Sequence, residues 1–251
     1  MTAPVQMAPE VHIDDYYELR LYEMVPGRTP DLHHRMSVEV PPLFARHGIP
    51  RPLAYWDGFA GPINPLYAYL LRWQNLDARM AAWNAFYADP EWIEIRDGSN
   101  AGRQMVDTTH IFILRPSPAW EPWRTPAAAG PVGGIHELRL HQVLNDDPAR
   151  AHAALAEIDL PFLTARGAVV LGVFAGWYGT RLPQAVTLLA WPDMDTRQRA
   201  MDAYDTDPGI LAARARERDD NRRPIFLRCD THLMRPAPYG TAQAGLAPLP
   251  D

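Results

Sequence analysis

The sequence predicts an α+β fold made of two tandem copies of one β-α-β-β-α-β unit. Three observations predict it. First, YELRLYEM at Tyr17 is echoed by HELRLHQV at His136, 119 positions later. Second, the match continues in order. Pro42 meets Pro161 and Gly48 meets Gly167, then YLLRW at Tyr69 meets TLLAW at Thr187 after a one-residue slip. DTTHIFILRP, ending at Pro116, meets LRCDTHLMRP, ending at Pro236. Offsets that drift by one between conserved blocks are small loop insertions in a duplicated unit. Third, strand-like period-two segments alternate with helical patterns in the same order in both copies.

The first copy opens with a strand that alternates Tyr17, Leu19 and Leu21 with Glu18, Arg20 and Tyr22; the second gives His136, Leu138 and Leu140 against Glu137, Arg139 and His141. A helix follows. Thr29 is its expected N-cap, with Pro30 at the first helical position. Leu32, Met36 and Leu43 share its apolar stripe. Pro41-Pro42 is expected to break or kink it near Val40, and Gly48 to end it. A strand over Leu53 to Phe59, the GPINP turn and a strand over Leu66 to Trp73 come next. A second helix spans Leu76 to Tyr87 up to Asp89-Pro90, a further helical stretch starts at Glu91, and Thr109 to Leu114 is the last strand. This order is the split βαβ of ferredoxin-like folds. Helices cover one face of such a sheet, and here the other face is apolar too. The two copies are therefore expected to cover each other, face to face or edge to edge. The predicted organisation is an N-terminal extension (1–14), a first ferredoxin-like domain (15–117), a Pro/Ala/Gly linker (118–133), a second, more divergent domain (134–237) and a flexible tail (238–251).

The chain has 251 residues, 47% hydrophobic and 22% charged, with a net charge of −6. That is ordinary globular usage. The acidic balance and the lack of a Lys/Arg stripe argue against nucleic acid as a partner. No apolar run approaches the ~20 residues of a membrane span, and no secretory leader pattern opens the sequence. Its single cysteine, Cys229, cannot form an internal disulfide. The expected compartment is the cytoplasm.

YELRLYEMVPGR, a helix ending PPLFARHG, GPINPLYAYLLRW, DARMAAWNAFYADPEW and a terminal RP resemble the NIPSNAP family, within the dimeric α/β-barrel superfamily. The second copy resembles it less: its turn reads GTRLP, and DPGI lacks the tryptophan of DPEW. The resemblance implies a fused dimeric α/β barrel. It implies activity only loosely, because that superfamily includes cofactor-independent monooxygenases, isomerases, haem proteins and domains with no assigned chemistry.

Candidate site residues follow from polar groups on apolar elements. If the Glu18, Arg20 and Tyr22 face is enclosed between the copies with Glu137, Arg139 and His141, its buried charges must pair. They then form either a registering ion-pair network or a polar cavity with a titratable member. Catalytic candidates are Glu18 and His33 for proton transfer and Arg20 for stabilising developing negative charge. Substrate contacts are expected from Tyr17, Trp56, Asn64, Tyr69, Trp73 and His141, the aromatics suiting a flat apolar molecule. His33-His34 is not a metal pair, since helix neighbours point about 100° apart, and no His-x-x-x-His or Glu-x-x-His occurs. No phosphate-cradling glycine loop or nucleophile elbow is present. His110 and His232 recur at the same place in the last strand, which speaks for structure rather than haem ligation. Cys229 reads as a small core residue.

The expected function is a small-molecule enzyme without metal or organic cofactor. It would use acid–base chemistry (isomerase, lyase or cofactor-independent oxygenase) on an apolar or aromatic metabolite. The alternative is a non-catalytic ligand-binding or protein-interaction scaffold. The chain would be a pseudo-dimer in itself, able to pair again as a homodimer.

Overall fold

A computed structural model of the chain describes residues 15–124, 132–221, 223–242 and 246. The predicted N-terminal extension, the middle of the predicted linker and most of the predicted tail lie outside the described residues.

Eight strands form one closed antiparallel barrel. The first half contributes β1 (Tyr16–Met24), β2 (Ala54–Ala60), β3 (Leu66–Trp73) and β4 (Val106–Pro116); the second contributes β5 (Ile135–Val143), β6 (Val169–Tyr178), β7 (Gln184–Trp191) and β8 (Phe226–Pro236). The order around the barrel is β1-β3-β2-β8-β5-β7-β6-β4. Each half is thus a four-stranded sheet with the same internal order. Their edges join reciprocally, β2 to β8 and β6 to β4, so no strand edge is left unpaired. Of the two covering modes expected from sequence, the halves meet edge to edge and in doing so enclose a common interior.

Strand alternation decides what lies inside. Tyr17, Leu19 and Leu21 point into the barrel with Trp56, Leu70, Leu138 and Phe174 in one continuous core. Glu18, Arg20 and Tyr22 point the other way, under the helices. The charged faces of the two halves are therefore not enclosed together, so the condition under which they would share one polar interior is not met. Each lies outside the barrel, between sheet and helices of its own half, because the apolar parity of β1 and β5 takes the barrel interior.

Helices cover the outside. In the first half α1 (Thr29–His34) passes through a π-helical turn (Arg35–Glu39) into α2 (Val40–Arg46), followed later by α3 (Leu76–Ala88) and α4 (Pro90–Asn100). The second half repeats this with α5 (Pro148–Ala154), a π-helical turn (Leu155–Asp159), α6 (Leu160–Thr164), α7 (Met194–Thr206) and α8 (Pro208–Asn221). Arg28, not Thr29, is the cap residue of α1, with Pro30 inside the first turn. Pro41-Pro42 does not end the helix. Prolines without an N–H sit in the first turn after the π-helical segment, where the widened ladder has already released hydrogen bonds. Asn75 and Asp193 cap α3 and α7 at equivalent positions, accepting from Ala78 and Thr196 backbone N–H groups at 2.7 and 2.6 Å.

Part of the predicted linker is core. Pro118–Trp123 forms a 3₁₀ helix that drives Trp120, fully buried, against Tyr17 and Phe174 at 6.0 and 5.1 Å between ring centres. The start of the predicted tail is also seated: the Tyr55 N–H donates to the Gly240 carbonyl and the Ala237 N–H to the Tyr55 carbonyl, both at 2.9 Å. Proline-rich composition marked both stretches as irregular, but irregular backbone can still carry a Trp into a core.

Candidate functional site

In both halves a glutamate on the first strand anchors the helix layer. Glu18 accepts hydrogen bonds from Trp73 Nε1 (2.8 Å), Trp83 Nε1 (3.0 Å), and Arg79 Nε and Nη2 (both 2.8 Å). Glu137 accepts from Trp191 Nε1 (2.8 Å), Arg197 Nε (3.0 Å) and Nη2 (2.8 Å), and Arg139 Nε (2.9 Å). Both glutamates are fully buried. Burial alone would raise the Glu137 pKa; Arg139 and Arg197 instead hold it at about 2. These carboxylates have their lone pairs occupied by protein donors, which makes them structural posts.

The space beside each post differs between the halves. In the first, Arg20 is roofed by the Trp83 ring at 4.3 Å and flanked by the rings of Tyr22 and Tyr69 at 5.8 and 5.9 Å; its Nη2 donates to the Tyr87 hydroxyl at 3.0 Å. Aromatic rings fill this region. In the second half the equivalent positions carry Met201 for Trp83, His141 for Tyr22, Thr187 for Tyr69 and Asp205 for Tyr87. Each change removes ring volume, and a cavity of about 370 Å³ opens between β5, β7, β8 and helices α6, α7 and α8.

Polar groups converge on this cavity. Asp159, at the end of the second π-helical turn, is 5% exposed; its Oδ1 accepts from the Tyr204 hydroxyl and from Arg214 Nη2. Arg214 also donates to the Tyr204 oxygen at 2.7 Å. Oδ2 of Asp159 has no hydrogen-bond partner among the described residues. Burial would lower the Arg139 pKa, but the charges of Glu137 and Asp159 raise it, so its guanidinium stays a cation in the wall. The Thr187 hydroxyl is buried there with no hydrogen-bond partner. A hydroxyl set in a cavity wall with no protein partner is free to pair with whatever occupies the cavity. His141 completes the wall. Burial, helped by Arg139 and Arg214, lowers its pKa to about 3, so the imidazole is neutral at physiological pH. Cys229 is exposed rather than core, its Sγ 4.0 Å from His141 Nε2.

Of the nine residues expected from sequence, only His141 lines this cavity or either of two others described in the chain, one of about 440 Å³ at the first π-helical turn and one of about 530 Å³ beside α4. Glu18 and Trp73 belong to the structural post, and Arg20 and Tyr69 to the ring-filled region. Tyr69 shares a hydroxyl hydrogen bond of 2.8 Å with Tyr22. Tyr17 and Trp56 face the barrel interior, where Trp56 Nε1 donates to His136 Nδ1 at 2.8 Å. Asn64 is exposed in the β2–β3 turn, and its side chain makes no hydrogen bond among the described residues. His33 lies with Nε2 3.0 Å from Asp57 Oδ1, its ring edge-on to Tyr67 and Tyr239.

Sequence reading missed Asp159, Tyr204, Arg214 and Thr187. The signal for Asp159 was available: it stands where the first copy has Val40, a carboxylate in an apolar stripe. Tyr204 stands where the first copy has Phe86. Among the described residues no group of three or more His, Cys, Asp or Glu converges to hold a metal, and no helix is long and apolar enough to cross a membrane.

Residues 17–119 match the family model for NIPSNAP. No curated protein matches the chain. Among solved structures, an anthrone oxidase-like protein is 12% identical with a TM-score of 0.59, over 89% of this chain and 92% of its own. A proposed monooxygenase from Lactobacillus acidophilus NCFM is 9% identical with a TM-score of 0.53, over 92% of this chain and 98% of its own. A NIPSNAP-like domain protein from Burkholderia xenovorans is 20% identical with a TM-score of 0.38, over 43% of this chain and 89% of its own. The likeness to the first two extends around the whole barrel and establishes the fold, not the chemistry.

Proposed function

With a NIPSNAP domain at residues 17–119 as its first half, we propose that this chain is a duplicated, fused pair of ferredoxin-like domains whose second, divergent half has become a small-molecule enzyme. The reaction class is proton transfer on a substrate bearing a carbonyl or phenolic oxygen, carried by side chains without metal or organic cofactor. The observation that carries this reading is the open wall at Asp159, Arg139 and Thr187. Asp159, braced through one oxygen by Tyr204 and Arg214, offers its other oxygen to take a proton from carbon or hydroxyl. Arg139 and the Thr187 hydroxyl are donors for the oxygen on which negative charge then develops. Neutral His141 is a hydrogen-bond acceptor that orients the substrate. Isomerisation, elimination and cofactor-independent oxygenation all begin with that deprotonation. Leu155, Leu160, Leu163 and Phe226 supply the apolar wall an apolar or aromatic substrate needs.

The test is deuterium incorporation in D₂O, followed by NMR over a panel of 1,3-dicarbonyl compounds and hydroxyarenes. The native protein is expected to exchange the acidic proton of at least one compound faster than buffer, and Asp159→Asn to lose about a hundredfold or more of that rate. Equal rates in both proteins, or no exchange across the panel, would overturn the assignment.

A further inference from the structure

A cavity of about 440 Å³ lies in the first half, between the first π-helical turn, α2, β2 and the chain after β8. It depends on nothing proposed for the second half, and its volume is in the range of small-molecule sites. Met36, Phe44, Ile49 and Pro52 line it and are buried. The one charged residue of the described wall, Arg51, is exposed and already has a partner. An ion entering the apolar part of the cavity would therefore lose its hydration without gaining a counter-charge. The walls suit a neutral molecule.

Three hydroxyl-bearing residues reach this wall, and two of them are engaged. Ser37 Oγ donates to the His33 carbonyl at 2.7 Å, and Tyr239 shares a hydroxyl hydrogen bond of 2.9 Å with Tyr67. Tyr55 is the third. It is 4% exposed, yet its hydroxyl has no hydrogen-bond partner among the described residues. Burial raises its pKa and the Tyr239 phenol adds to the rise, so the group stays protonated and able to donate. It is free to pair with whatever occupies the cavity. The fold does not ask for this phenol: in the second half Val173 holds the matching register position, opposite Thr187 as Tyr55 is opposite Tyr69.

The Tyr55 ring is held in place from several sides. Its backbone N–H and carbonyl are both bonded to the chain after β8, at Gly240 and Ala237. Gly240 lies against the ring so closely that a Cβ there would fall 2.1 Å from Cδ2. The rings of Tyr239 and Tyr69 pack on it at 5.1 and 6.0 Å between centres. The hydroxyl thus has a fixed direction before any ligand arrives, which spares part of the ordering cost of binding.

We infer that this cavity is a ligand site for a small neutral carbonyl compound, whose oxygen accepts from the Tyr55 hydroxyl and whose apolar body lies between Met36, Phe44 and Ile49. Titration calorimetry with acetophenone, α-methylstyrene and benzoate tests it. The three have nearly one shape and carry a carbonyl, a methylene and a carboxylate in the same place. Acetophenone is expected to bind one per chain, α-methylstyrene about fivefold more weakly for want of one hydrogen bond, and benzoate not to bind. Tyr55→Phe should weaken acetophenone about fivefold and leave α-methylstyrene unchanged. Tyr55 does not line the cavity of the second half, so that selective loss also locates the site. Ala45→Trp, at an exposed position of the cavity wall, should abolish binding of both without unfolding the protein, which a thermal melt checks. The inference fails if acetophenone does not bind, or if α-methylstyrene or benzoate binds as well as acetophenone. It fails equally if Tyr55→Phe leaves acetophenone unchanged or weakens both neutral probes alike, or if Ala45→Trp binds as well as the native chain.

Discussion

The indole N–H of Trp56, on a strand of the first half, donates to Nδ1 of His136, on a strand of the second, at 2.8 Å inside the barrel. His136 Nε2 lies 2.9 Å from the Val132 carbonyl, so that nitrogen carries the proton and Nδ1 is the acceptor. The pair joins the halves through one defined tautomer. Trp56→Phe leaves Nδ1 buried and unpaired and removes ring volume. Urea unfolding should show a loss of roughly 2–3 kcal/mol, and a change below about half a kcal/mol would show that the contact does not join the halves.

Acid should destabilise the protein in a defined window. Burial lowers the pKa of His136 from 6.5 to about 4 and that of His141 from 6.5 to about 3. Both are neutral in the fold and protonate below 6.5 once unfolded, so the unfolded chain binds more protons and stability falls with pH. Each contributes a slope of about 1.4 kcal/mol per pH unit between 6.5 and its folded value. Glu137, held at about 2, adds a loss from pH 4.5 downward. Burial lowers the pKa of His152 and His232 as well, adding to the same trend; unfolding free energies from pH 7 to 4 should show the slope, and His141→Asn should reduce it by about 1.4 kcal/mol per pH unit at most.

Glu18 should matter for stability and not for chemistry. Glu18→Gln leaves Arg79 without its buried counter-charge, and a loss of about 3 kcal/mol is expected. Rates per folded molecule should be unchanged. Lost turnover at native stability would return Glu18 to the catalytic group.

Thr187→Val should lower activity without lowering stability. The hydroxyl has no protein partner among the described residues, so its removal at nearly constant shape should leave stability unchanged or raise it by up to about 1 kcal/mol. Deuterium exchange catalysed by the protein should slow. A clearly lower melting temperature would mean that the hydroxyl has a structural partner in the fold.

Arg139→Lys keeps the charge and loses the planar fork. Arg139 Nε spends one donor on Glu137, and an ammonium cannot hold that bond and also reach an oxygen in the cavity. Exchange should drop tenfold or more while the Glu137 post, still paired with Arg197, keeps the fold.

The repeat, the order of strands and helices, and the apolar parity of β1 and β5 were legible in the chain because each is written within a few consecutive residues. Glu18 and Glu137 were rightly singled out as buried polar positions, for the same reason. What they do was not legible, because apart from Arg139 the donors that occupy them, Trp73, Arg79 and Trp83, or Trp191 and Arg197, lie more than fifty residues away. The sequence by itself determined that a small sheet-and-helix unit occurs twice and that both faces of its sheet must be covered. Only the tertiary structure decided that the apolar face of β1 looks into the barrel, that rings fill the first half beside Arg20, and that the matching space in the second half is open. A cavity is a difference between the volumes of side chains brought together from several elements. It exists where Met201, Thr187, His141 and Asp205 stand in place of aromatic rings, and no single stretch of the chain contains that difference.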